Sequence, residues 1–341
     1  MNSYERIMAV LSGRKPDRVP VIPWVRDWCI RLAGFGIVDM MENVGKYVYA
    51  QYEARKQFGY DTVFGISGAE EVSVAMGAKL YYDNQTPPRV EAPFIHDYDQ
   101  DFADLRIPNP YQDGLLPMLL EVITRLKQIC EGEIPVAAWL PGPLRHALTL
   151  RGYKEGLQDM YKNQDNLKDL LNIATDSLLV YAVAMADAGA DIVIISDPPS
   201  SGKMISLEHC KKWSIPYMAR LTAFLKRTGM KSILHVCGDI MDRLDVFSQF
   251  EIDALSVDET VDLGSARKIL GDEFCIMGNV SPSGTLTRGT PEDVRNESRE
   301  CIQKAGKNGA FILGSGCLCP GKVKSENIAA MIAAAVEYGQ Y

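Results

Sequence analysis

Positive charge is in short supply in this chain. Its 36 Lys and Arg stand against 44 Asp and Glu, a formal net charge of −8. A nucleic-acid face or a polybasic membrane patch needs the opposite balance, so neither partner is expected. No apolar run approaches the ~20 residues of a membrane-spanning helix. The opening residues, Met1 to Arg6, lack the apolar core of a signal peptide, and a cytoplasmic protein is expected. No Gly-rich dinucleotide fingerprint follows the first strand-like run, and no phosphate-loop pattern occurs anywhere. Histidine is scarce, with four residues, but cysteine is not: eight are scattered along the chain. In a long chain without a secretory signal they read as reduced thiols or metal ligands, not as a disulfide framework.

What is present is alternation. Strand-like runs fall at 19–24, 62–67, 134–140, 191–196, 232–237, 254–257, 274–280 and 311–314. Helical patterns follow each of them, including 38–58, 115–130, 165–188, 207–226, 291–305 and 325–338. Thr290 and Pro291 mark the start of one, Thr as cap and Pro in the first turn. A short amphipathic helix over 2–12, capped by Asn2 or Ser3, precedes the first strand. Residues 78–113 are irregular, rich in Pro, Asp, Asn and Tyr, and read as an excursion with a small hairpin and a covering loop. Eight βα units imply a parallel sheet. The fold class is α/β, a (β/α)8 barrel over 1–341 with an N-terminal helical extension and an excursion near 78–113. A doubly wound open sheet is the runner-up.

In such a barrel the chemistry sits at the C-terminal ends of the strands. There the sequence offers Trp24 and Arg26, then Gly142, Arg145 and His146, then Asp197. His235, Cys237 and Asp239 follow, then Asp258 and Glu259, Asn279 and Ser281, and Cys317 and Cys319. His235 and Cys237 sit two apart on one strand, so their side chains share a face. Both are zinc ligands. With Cys317 from across the mouth and Glu259 as a displaceable fourth, they make a tetrahedral set. Cys319 is an alternative to Cys317, because Cys317-Leu318-Cys319 leaves the register open. Two thiolates on zinc suit thiol activation, since a coordinated thiol is deprotonated outright. Elsewhere a cysteine in an apolar segment is usually a small core residue, and Cys29, Cys130, Cys275 and Cys301 are read that way. His146 is a candidate site residue at a strand end, with a core role as the plainer alternative. Asp197 is either functional or a turn cap before Pro198. His209 reads as a helix-surface residue, and His96 falls in the irregular excursion.

Several segments resemble the uroporphyrinogen decarboxylase superfamily. They are Gly13–Pro20, Pro141-Gly142-Pro143, Met277-Gly278-Asn279-Val280, and Gly314-Ser315-Gly316-Cys317 followed by Glu326-Asn327. The resemblance is colinear over nearly the whole chain and implies a (β/α)8 fold. The decarboxylases carry an Arg-rich motif after strand one and a catalytic Asp after strand two. Here those stretches read Trp24-Val25-Arg26-Asp27-Trp28 and Val63-Phe64-Gly65-Ile66-Ser67, with no carboxylate in the second. The chain is more similar to the corrinoid-dependent methyltransferase branch, the methylcobalamin:coenzyme M enzymes. That branch's His-X-Cys pair and later Cys match His235, Cys237 and Cys317. More distant methionine synthase relatives add a Glu about two dozen residues after the His, where Glu259 stands.

The resemblance thus implies a zinc-dependent methyltransferase. It would move a methyl group between a corrinoid (methylcobalamin), carried on a corrinoid protein, and a small thiol acceptor such as coenzyme M. His235, Cys237, Cys317 and Glu259 are the expected metal ligands. Asp197 and Glu259 are the expected catalytic groups. Gly142 and Asn279, inside family motifs at strand ends, are the expected corrinoid contacts. A decarboxylase acting on another substrate, transfer to tetrahydrofolate, and a zinc-binding scaffold without turnover are the alternatives.

Overall fold

The structure is a computed structural model that describes residues 1–66, 70–84 and 88–341. Ten strands occur among the described residues: β1 (Val21–Ile22), β2 (Val63–Phe64), β3 (Lys79–Tyr81), β4 (Arg89–Ala92), β5 (Val136–Pro141), β6 (Ile192–Ser196), β7 (Lys231–Val236), β8 (Ala254–Val257), β9 (Ile276–Val280) and β10 (Phe311–Ser315). Eight of them form one sheet in the order β1-β10-β9-β8-β7-β6-β5-β2, every neighbour parallel. Nearly every residue of these strands is buried. That is why they read as short, continuous apolar runs: a parallel sheet is covered by helices on one face and by its own core on the other. The eight strands curl into the expected (β/α)8 barrel.

The seam between β1 and β2 is closed by a side chain. Asp61, fully buried, accepts from the Val21 amide at 2.8 Å, from Ser3 Oγ at 2.8 Å, and from Arg6 and Arg18. Its own amide donates to Val21 O at 2.8 Å. The N-terminal helix Ser3–Val10, held by an Asn2–Glu5 capping box, brings Arg6 to this point. One buried carboxylate with this many donors stands in for the missing ladder.

The excursion is a hairpin, β3 antiparallel to β4, followed by a short helix Tyr98–Asp101. Ser67, the expected end of the second strand, lies outside the described residues. Two long helices are broken where the sequence read them as continuous. Asn43 separates Ile37–Glu42 from Val44–Phe58, its side chain capping the second by accepting from the Lys46 amide. Ser214 separates Leu207–Trp213 from Ile215–Leu225, with Pro216 in the new first turn. Helices Arg26–Leu32 and Pro143–Arg151 follow β1 and β5 directly and were not anticipated. The helix Gln164–Asp187 is, by length and composition, apolar enough to cross a membrane, contrary to expectation. Its apolar side chains Leu167, Leu170, Leu171, Leu178 and Met185 are buried within the fold, as in a core helix of the barrel wall.

Candidate metal centre

β7 carries Ile233 and Leu234 into the core and ends at Val236, so His235 and Cys237 emerge together at the barrel mouth. His235 Nδ1 lies 3.1 Å from Ser256 Oγ on β8, and Nε2 lies 3.1 Å from Cys237 Sγ. The serine holds the ring by one nitrogen and leaves the other facing the thiol, the arrangement that orients a metal-binding imidazole. Cys317 follows β10. Ser315 fixes that turn: its hydroxyl donates to Cys317 O at 2.8 Å and accepts from the Trp24 amide at 3.0 Å. Gly316 presses on the backbone of Glu259, where a Cβ would come within 2.6 Å of the Glu259 nitrogen. No side chain larger than glycine fits there, and this close approach sets Cys317 beside Cys237.

The Cys237 and Cys317 sulfurs are 3.4 Å apart, and both are free thiols. The three donor atoms of His235, Cys237 and Cys317 all lie within 4.8 Å of one another. Tetrahedral zinc, with sulfur at about 2.3 Å and nitrogen at about 2.0 Å, spaces its ligands by roughly 3.5 to 3.8 Å. The donors need only a small spreading to accept it, and one imidazole with two thiolates is a soft set suited to zinc. The hydrogen bond from Cys237 pushes the Cys317 thiol down, with His235 assisting against burial. The same hydrogen bond, with burial, pushes Cys237 well up.

These groups open into a cavity of about 240 Å³. Its apolar side is Trp24, Trp139, Pro88, Pro198 and Leu318; its polar side is Arg26, Glu70, Arg145 and Ser196. The Trp24 ring stacks obliquely on Trp139 at 4.7 Å and on His235 at 5.4 Å between centroids. Arg145 donates to Ser196 Oγ at 2.8 Å and pairs with Glu70. Arg26 pairs with Asp27 at 2.5 Å.

The family model for uroporphyrinogen decarboxylase (URO-D) matches residues 2–338. The chain belongs to the uroporphyrinogen decarboxylase family. Within that family it is 27% identical to the methylcobamide:CoM methyltransferase MtaA of Methanosarcina barkeri, over 98% of this chain and 97% of that protein. It is 25% identical to uroporphyrinogen decarboxylase of Neisseria gonorrhoeae, over 82% of this chain and 79% of that one. Among solved structures, a methyltransferase from Methanosarcina mazei superimposes with a TM-score of 0.90 at 23% identity, covering 99% of both chains.

Against the family expectation, the mouth of this uroporphyrinogen decarboxylase relative gathers some residues and leaves others out. Trp24, Arg26, Arg145, His235, Cys237 and Cys317 line the cavity. Glu259 does not join the donor cluster: its side chain is exposed and it lines a second cavity with Asn279. Its backbone and Cβ pack against Gly316, and its side chain runs out to solvent and not to the thiols. Asp197 is fully buried and acts as a cap. It accepts from the Arg145 amide at 2.9 Å, in the first turn of Pro143–Arg151, and from the Ser200 and Ser214 hydroxyls. Burial pushes its carboxyl up against these hydrogen bonds.

Gly142 is where Asp197 packs, a Cβ there meeting its Cβ at 2.4 Å, so the glycine makes room for the cap. Asn279 donates to the carbonyls of Asp258 and Val261 at 2.9 and 2.7 Å and is spent on holding that loop. Cys319 is fully buried and outside the cluster, so the register favours Cys317. His146 is a core residue between Ser73 and Ser177. Glu70, Trp139, Ser196 and Ser256 were missed. Glu70 supplies the carboxylate after β2 that the strand itself lacks, and no spacing rule points to it six residues beyond Phe64.

Proposed function

We propose that this chain is a zinc-dependent methyltransferase that moves a methyl group between a corrinoid and a thiol. The observation that carries this reading is the cluster His235–Cys237–Cys317, three soft donors converging at the edge of a cavity large enough for a small thiol. Its similarity along almost the full length to a methylcobamide:CoM methyltransferase supports the same reading.

In this proposal His235, Cys237 and Cys317 hold zinc, and the fourth position belongs to the acceptor. Bound there, zinc would supply thiol activation, making a coordinated thiol more acidic so that thiolate is present at neutral pH. Ser256 keeps the His235 ring turned toward the metal. Trp24 and Trp139 exclude water from the space above the donors and give the reacting groups an apolar wall. Asp197 acts at one remove: it anchors the Arg145 backbone and so fixes a cavity wall. The methyl donor is a corrinoid, carried by a separate corrinoid protein that docks at the barrel mouth. The single barrel spans the whole chain, and a cytoplasmic location goes with this reading.

Zinc analysis of the purified protein, followed by a methylcobalamin demethylation assay with a panel of thiols, tests the proposal. The expected result is bound zinc and thiol-dependent loss of the Co–CH₃ absorbance. Protein without zinc whose activity is untouched by Cys237→Ser would sink it. Carbon dioxide release from a porphyrinogen instead would favour the decarboxylase alternative.

A further inference from the structure

The cavity beside the donors has an unusual charge arrangement. Two guanidiniums line it, and each already faces a carboxylate: Arg26 faces Asp27, and Arg145 faces Glu70. The Arg145–Glu70 pair is the one with both members in the lining, and its side chains keep 17% and 22% of their exposure. Arg145 is fixed from behind by Asp197 on its amide and by Ser196 on its guanidinium. Glu70 and Arg145 line the same cavity as His235, Cys237 and Cys317, so the pair and the metal donors face one space. Between them stand Trp24, Trp139, Pro88, Pro198 and Leu318, apolar surface suited to a short carbon chain.

An acceptor with a lone anionic head would meet Arg145 only by lying against Glu70. Like charges at that distance repel, and the approach would leave Glu70 without its partner. A head group with both signs has no such conflict: it opens the pair and satisfies each member. Lys203 has no ion-pair partner among the described residues, but it does not line this cavity. Its stem lies over Gly238, where a Cβ would fall 3.2 Å from Lys203 Cδ.

We infer that the acceptor is a thiol with a zwitterionic head, an ammonium and an acid on one carbon, the acid held by Arg145 and the ammonium by Glu70. The inference rests on the methyl-transfer reading for the thiol, and on the Arg145–Glu70 pair alone for the head group.

The test is calorimetric titration of the full chain, zinc-loaded and metal-free, with four probes. They are homocysteine, 4-mercaptobutyrate (no ammonium), 3-mercaptopropylamine (no acid) and 2-mercaptoethanesulfonate. Homocysteine is expected to bind about 10- to 100-fold more tightly than either one-charge analogue, the worth of one charged hydrogen-bond pair. The order persists without metal, because the head-group contacts belong to the chain. Glu70→Gln closes the gap between homocysteine and 4-mercaptobutyrate, and Arg145→Gln closes the gap to the amine. Lys203→Ala leaves the order unchanged.

The inference is overturned if the sulfonate binds most tightly, or if Lys203→Ala removes its binding. The two readings fail separately. If homocysteine binds in this order but no thiol takes a methyl group, methyl transfer falls and the head-group assignment stands. If methyl goes best to the sulfonate, the assignment falls and methyl transfer stands.

Discussion

His146 and His235 are both buried, both follow a barrel strand or end one, and both have a serine on Nδ1. They differ in what meets Nε2. For His146 it is a second serine, Ser177, at 3.0 Å, with the Met76 sulfur nearby. For His235 it is a thiol, with a second thiol behind it and a cavity beyond. The first ring is a closed part of the core, and burial pushes it down to about 3, so that it stays neutral. The second is aimed at a point where other donors converge. Burial does not separate a structural histidine from a ligand; the chemistry around its second nitrogen does.

The largest test of this contrast is removal of a soft donor. Cys237→Ser, or Cys317→Ser, should weaken zinc binding by more than about 100-fold, beyond the cost of losing a supporting contact. His146→Gln should leave metal content unchanged. Mass-spectrometric metal analysis with circular dichroism as a folding control decides it; a Cys237→Ser protein that retains zinc breaks the contrast. Next is Ser256→Ala, which frees the His235 ring and should cost about 10- to 100-fold in metal affinity. Ser177→Ala should cost stability only. A chelator competition titration separates the two.

Acid comes third. His146 has its folded value depressed to about 3 from an ordinary 6.5. The unfolded chain therefore takes up the proton first, and stability is present above pH 6.5 and lost as pH falls toward 3. Lowering pH from 7 to 5 should cost about 2 kcal/mol, read from urea midpoints, and His146→Gln should flatten that slope. An unchanged slope in the variant would assign the acid sensitivity elsewhere. The smallest effect is expected from Glu259→Gln. With its carboxylate outside the donor cluster, zinc retention should stay within a few-fold of the parent, below the cost of losing a group that supports a ligand. A large drop would return Glu259 to the ligand set.

Much of the barrel was legible because its signals are local. The β6, β8 and β10 runs and the helix Pro291–Ala305, with its Thr290–Asp293 capping box, fall within a residue or two of expectation. The helix breaks at Asn43 and Ser214 were not legible, because an apolar period continues through them. His235 and Cys237 could be paired from spacing on one strand, and Cys317 from the geometry of a closed barrel. The fourth ligand, the cap at Asp197 and the Arg145–Glu70 pair depend on how loops pack against one another. Asp197 was a candidate catalytic group because it ends a strand; the capping role shows only in its three donors, one from its own turn and two from other segments. Glu70 was hidden by its distance from β2.

The seam at β1 bears on how the protein is made. β1 pairs with β10, joining Val21 to Leu313, and Trp24 is tied to Ser315 and Cys319. Cys317 can therefore take its place only when nearly the whole chain has left the ribosome and the last strand has closed on the first. Until then His235 and Cys237 are a bidentate pair of ordinary affinity. If the cluster holds zinc as proposed, a truncated or misclosed barrel would keep two of its donors and lose the third, so metal retention would report on closure of the barrel.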